Sequence, residues 1–204
     1  MAGLAAINQL GESIVAMLLA RRNLLAAEGG LGPVPAALEI THTSLGRLAT
    51  NVEPVAGLTL TCTRIAMSDH PVPRAPTRSA AGGASIAVEV SYLLTSWSSG
   101  AEEQSVLSWA MLELAAHPVL DRSVLIGGPD VWEPDETVQI VPETLTDDAL
   151  FRLWSVMQHS LRLSTTFRAR VVRINYGPGE TWPAVVASRF GFATAADQPA
   201  EALT

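Results

Sequence analysis

Apolar residues recur at helical spacing over residues 4–26. Ile7, Leu10, Ile14, Leu18 and Leu25 fall near one face, and Val15 and Leu19 widen it. Glu28-Gly29-Gly30 and the LGPVP that follows end this helix. A short strand is predicted at 37–41, ALEIT. The period then drops to two. In LTLTCTRIA, 58–66, Leu58, Leu60 and Cys62 share one side and threonines fill the other. SIAVEVSYLL, 85–94, alternates most cleanly: Ile86, Val88, Val90, Tyr92 and Leu94 against Ala87, Glu89 and Ser91. Between these two strands MSDHPVPRAPTRSAAGG, 67–83, keeps no period and predicts a long exposed loop.

A second helix is predicted after TSWSSG. Ser99 and Glu102 have capping-box spacing, and Val106, Leu107, Ala110, Met111 and Leu114 form the apolar stripe. His117-Pro118 stops it. TVQIVP, 137–142, reads as a strand. A third helix opens at Thr146 as N-cap, with Asp147 and Asp148 in the turn where the helix dipole favours anions. Its stripe is Leu150, Leu153, Trp154 and Met157. A strand over 163–174 follows, with Leu163, Phe167, Ala169 and Val171 on one face and Arg168 and Arg170 on the other. Gly177-Pro178-Gly179 predicts a turn. AVVASRF predicts a short strand, and 191–204 a mobile or docking tail. This order of elements predicts an α+β fold: a mostly antiparallel sheet flanked by about three helices.

Composition narrows the chemistry. The chain has 204 residues, suited to one domain with an appendage, and only 16% are charged against 48% hydrophobic. A coat of charge this thin points towards surface covered by assembly. The net charge is −7, which argues against general nucleic-acid binding. All thirteen basic residues are Arg, so mechanisms that need a Schiff-base or phosphate-loop Lys are excluded. Cys62 is the single cysteine, which rules out an internal disulfide and a Cys-based zinc site, and its place in an alternating run predicts a buried, inert thiol. The longest apolar run near the N-terminus, IVAMLLA, is far short of the ~20 residues a membrane span needs. A soluble protein made in the cytoplasm is the expectation.

Catalytic constellations are scarce. His42, His70, His117 and His159 show no metal-motif spacing, and there is no HExxH, GxSxG or GxGxxG after a strand. No cofactor or metal is expected. Asp69-His70 in the long loop is the one neighbouring pair that suits acid–base work. It supports a different reading of the chain, as a small-ligand binding domain or hydrolase using the 67–83 loop. Trp97, Trp132 and Trp182 fall in or near loops and Trp109 falls beside its helix stripe. They suit an interface or a lid over the core, and both stay open. Arg168, Arg170 and Arg173 cluster on one strand. They suit a solvated sheet face, or pairing with carboxylates of a neighbouring subunit.

Five blocks in order carry a resemblance: AAINQLGESIVAMLL, LTLTCTRIAMSDHPVPR, IAVEVSYLLTSW, EEQSVLSWAMLELAAHPVL and VPETLTDDALFRLWSVMQHSLRLSTTFRARVVRIN. Together they resemble the tail-terminator, or cap, proteins of extracellular contractile injection systems, which are phage-tail-like particles. The chain departs from the family pattern in its Thr- and Cys-bearing LTLTCTRI and in Leu161, where an aromatic is usual. The resemblance implies a structural protein rather than an enzyme, with a tail-terminator fold over 1–176 and a C-terminal extension over 177–204. It implies a homo-hexameric ring at the baseplate-distal end that caps the inner tube and engages the last sheath ring. Assembly would be cytoplasmic, into a particle open to extracellular release. Arg168, Arg170, Arg173, Arg74, Arg78 and Trp182 are the candidate interface residues.

Overall fold

The computed structural model describes residues 3–50, 57–69 and 82–180. Its elements run α1 (Ala6–Glu28), β1 (Glu39–Thr43), α2 (Leu45–Leu48), β2 (Gly57–Met67), β3 (Gly82–Ser96), α3 (Ala101–Ala116), β4 (Val119–Leu120), β5 (Val138–Glu143), α4 (Asp147–Met157) and β6 (Ser164–Glu180). The strands form one six-stranded sheet in the order β1-β2-β3-β6-β5-β4. β1 and β2 are parallel and the other neighbours antiparallel. The fold class is α+β, as the alternation of periods predicts.

The predicted face of α1 is buried: Leu10, Ile14, Val15 and Leu18 enter the main core, with Ile7, Leu19 and Leu25 packed at its border. The helix ends in a Schellman arrangement. Gly29, at φ 70, donates its N–H to the Ala26 carbonyl, and Gly30 donates to that of Leu25. α1 and α3 cover one sheet face, made by Leu58, Leu60, Val88, Val90, Tyr92, Phe167 and Ala169. α2 and α4 cover one end of the other face through Leu48, Leu93, Trp97, Trp154 and Met157. Leu93 and Leu94 therefore feed different cores, as neighbours on a strand must.

Several expectations need correction. The 37–41 strand lies at Glu39–Thr43 instead. The capping box at Ser99 does not form. Gly100 occupies the N-cap of α3 with φ 64 and gives no side-chain bond, which leaves Ser99 outside the helix. Met111 is exposed, and Trp109 and Glu113 are buried in its place. Glu113 tolerates burial because Arg21 of α1 donates its Nε–H to Oε2 at 2.8 Å. The α4 cap is as predicted: the Thr146 side chain accepts from the Ala149 N–H.

The alternation along β6 also slips. Between the pairs Val88↔Val172 and Val90↔Ala169, β3 has one residue and β6 has two, a bulge opposite Glu89. The buried series therefore continues from Phe167 and Ala169 to Val172, not in strict steps of two. Gly177-Pro178-Gly179 is not a turn. β6 runs through it to Glu180, and the three residues sit in a second irregularity opposite Gly83. Pro has no N–H for the ladder, so a bulge is where a strand tolerates it.

Candidate interface

The polar face of the sheet is organised by Arg168. It stands on β6 between Ser91 of β3 and Val141 of β5. Its Nη1–H donates to Glu89 Oε2 at 3.1 Å and its Nη2–H donates to Glu143 Oε1. The bond to Glu143 pushes the guanidinium pKa above its ordinary value. Arg170 Nε lies 3.7 Å from Glu89 Oε1, and Ser68 Oγ donates to the same oxygen at 3.3 Å. The group ties the end of β2 to β3, β6 and β5. Both carboxylate side chains are 11% exposed, against 30% for Arg168 and 36% for Arg170.

Arg168 and Arg170 thus come together as the alternation places them, with carboxylates of their own chain. The signal for this was in the sequence. Glu89 is the one charged residue in the 85–94 run and faces away from Val88 and Val90. Glu143 is the last residue of β5, opposite Thr166, and nothing in its local pattern marks it. The backbone of Arg173 pairs with Ala87, further out on the sheet. Arg74, Arg78 and Trp182 lie outside the described residues, as do His70, most of the 67–83 loop and the predicted tail.

The other described tryptophans line the core rather than an interface. Trp97 donates Nε1–H to Thr59 Oγ1 at 2.9 Å and meets Trp154 edge-on at 6.1 Å. Trp132 donates to the Ile126 carbonyl at 2.8 Å, and Trp109 is buried with Nε1 unpaired. The described histidines serve packing. The His42 ring lies against Gly11 and 3.2 Å from Glu12, and His117 meets the Glu113 carbonyl at 2.9 Å. The His159 ring reaches the Leu48 carbonyl at the end of α2, which ties α4 to that helix. Cys62 is half-buried rather than buried, and desolvation pushes its thiol pKa up.

Among the described residues no group of three or more His, Cys, Asp or Glu is placed to hold a metal ion, and no helix is long and apolar enough to cross a membrane. An open depression beside the β4–β5 connection is lined by Asp121, Arg122, Ser123 and 134–137, and shares no residue with the Asp69 loop.

The comparisons with known proteins agree with the architecture. No curated protein matches the chain. Two solved structures share its fold. One is the sheath/tube terminator, in the extended state, of the extracellular contractile injection system PVC, at 17% identity and a TM-score of 0.52; the alignment covers 93% of this chain and 64% of that one. The other is the tube-terminating cap of the anti-feeding prophage, at 17% identity and a TM-score of 0.50, covering 83% and 60%. The chain spans less than two thirds of the length of either. The model of the Pvc16 N-terminal domain matches residues 14–187, most of the sequence, and the chain belongs to that family.

Proposed function

We propose that this protein is a non-enzymatic cap of a contractile injection system. It forms a homo-hexameric ring at the baseplate-distal end, terminates the inner tube and engages the last sheath ring. The observation that carries the reading is the family match over 14–187 together with the fold shared with two tube terminators. In this reading the Arg-bearing strand contributes to subunit contacts through Arg168, Arg170 and Arg173, and Arg74, Arg78 and Trp182 are further candidate contact residues. Arg168 and Arg170 are held in place by Glu89 and Glu143, which leaves the outer part of each guanidinium for a partner. Such pre-set planar donors lose less side-chain freedom on binding than free ones.

The test is deletion of the gene in a producing strain, with particle lengths measured by electron microscopy. Tubes of uncontrolled length, restored to normal by the wild-type gene, are the expected result. Intact particles of normal length in the deletion strain would overturn the proposal. Complementation with Arg170→Glu, its fold checked by circular dichroism, should restore length control only partly.

A further inference from the structure

The strands flanking the sheet centre stop short. β1 pairs with β2 only as far as Thr61, and β5 pairs with β6 only as far as Arg170. Beyond them β2, β3 and β6 continue as a three-stranded ribbon. Among the described residues this ribbon has two open backbone edges on opposite sides: Cys62–Met67 along β2 and 171–176 along β6. Each is six residues long, and neither contains Pro.

Sheet edges are usually blunted by Pro, by charge or by a covering element. The β2 edge has a bulge at Thr63, between the pairs Cys62↔Tyr92 and Arg64↔Ser91. Beyond it the edge carries Arg64 but also Ile65 and Met67. These stand opposite Val90 and Val88, so they belong to the apolar face. Val88, Val90, Ala169 and Val172 on that face are buried, whereas Ile65 is 53% and Met67 72% exposed. The rows through Val90 and Val88 are covered at their centre and bare at the β2 border, and the next row out is bare on β3 too, where Ile86 is 43% exposed. On the β6 border the same rows end in Val172 and the half-buried Ile174.

Both β2 and β6 are antiparallel to β3, so both open edges run away from the helical body in the same direction. The register staggers the two edges: Met67 and Val172 both stand level with Val88, whereas Ile65 stands level with Ala169, whose outer side β5 already fills. A second copy, rotated about an axis inclined to the strands as in a closed barrel and so displaced by two residues along them, brings its Arg64–Met67 beside 171–174 of the first as a parallel pair. Its Ile65 and Met67 then extend the row that ends in Val172 and Ile174. A two-fold pairing of like edges would fill one edge and leave the other bare. Head-to-tail contacts fill both once the rotation closes.

We propose that the subunits of the ring join by this edge: Arg64–Met67 of one copy pairs in parallel with 171–174 of the next. The proposal rests on the ring reading above. Crosslinking of the full chain in a Cys62→Ser background tests it, with Ala66→Cys combined with Arg173→Cys. β3 separates the two edges within one chain by about 9.6 Å, two strand spacings, beyond the ~7 Å a disulfide spans. Any bond between them must therefore link copies. Mild oxidation should give a ladder on non-reducing gels that rises to the ring size, while each single-cysteine variant stops at dimers. Rings visible by native mass spectrometry without a ladder would overturn the edge junction and leave the ring reading intact. If no ring forms either alone or on the tube, both fall. Crosslinking to the tube protein instead of to a sister copy would overturn the junction in favour of a tube strand on the same edge.

Discussion

Replacing Arg168 with Met should destabilise the monomer more than any other single charge deletion on the sheet. Glu89 and Glu143 are each 11% exposed, and both accept a hydrogen bond from this one guanidinium. Removing it takes one hydrogen bond from Glu89, which keeps Ser68 Oγ at 3.3 Å and Arg170 at 3.7 Å, and strips Glu143 of its charged partner, while Glu143 Oε2 already lacks a hydrogen bond. Breaking a fully buried pair costs about 3–5 kcal/mol. Arg168 is 30% exposed, so water screens part of the interaction, and about 2–3 kcal/mol is the better figure. In a chain of this size each kcal/mol moves the melting temperature by roughly 2–4 °C, so a fall of about 5–10 °C is expected by circular dichroism.

The control is Arg152→Met. Its partner Asp148 is 2.8 Å away, but both side chains lie mostly in water, and the change should stay within about 0.5 kcal/mol. Adding Glu89→Gln and Glu143→Gln to Arg168→Met should recover part of the loss, because no unpaired carboxylate is then left buried. The raised pKa of Arg168 sets the sign with pH. Its stabilisation is present below the ordinary Arg value and is lost only as pH rises through the higher folded value. The deficit should therefore be the same across about pH 6 to about pH 9. A melting temperature unchanged by Arg168→Met, or a triple variant no better than the single one, would refute this account of the cluster.

Burial raises the Tyr92 pKa, so the unfolded chain ionises first and stability should fall above about pH 10 by up to ~1.4 kcal/mol per pH unit; denaturant titrations should show the fall flattened in Tyr92→Phe. The half-buried Cys62 acts with the same sign from about pH 8.5, and Cys62→Ser should remove that earlier part. Gly57→Ala would set a methyl 2.4 Å from the Glu39 carbonyl oxygen and force β1 off β2, at a cost of about 1–3 kcal/mol measurable by urea unfolding. Gln158 ends α4 at φ 57, where side chains are strained, so Gln158→Gly should raise stability by about 0.5–1 kcal/mol despite its greater unfolded-state freedom.

The long periodic segments were readable because their own residues decide them. α1, α4 and the centre of β3 bury the faces that their spacing marks. α2 has four residues and β4 two, too few for any period to register. The stripe of α3 was misplaced for a different reason. Burial of Glu113 depends on Arg21, ninety-two positions away, and spacing within one helix cannot show a neutralising partner on another. The β6 bulge is similar. Two residues opposite Glu89 reset which side faces the core, and a count in steps of two passes over it. For the candidate interface, the grouping of Arg168 with Arg170 was legible. Their attachment to Glu89 and Glu143 needed the register of three strands.

That attachment also changes what a partner would meet. A sheet face with two free arginines would recruit carboxylates over a distance and bind in a strongly salt-dependent way. Here much of that charge is already matched within the chain, by Glu89 and Glu143. Among the described residues the same ribbon also offers its β2 backbone edge, with Ile65 and Met67 exposed beside it. Main-chain pairing and apolar cover give little steering but fix strand direction and register, and a one-residue slip would turn Ile65 and Met67 to the wrong face. A closed ring needs that kind of contact more than it needs long-range attraction. Every junction must repeat the same rotation, and a directional ladder tolerates angular error less than a pair of flexible charges does.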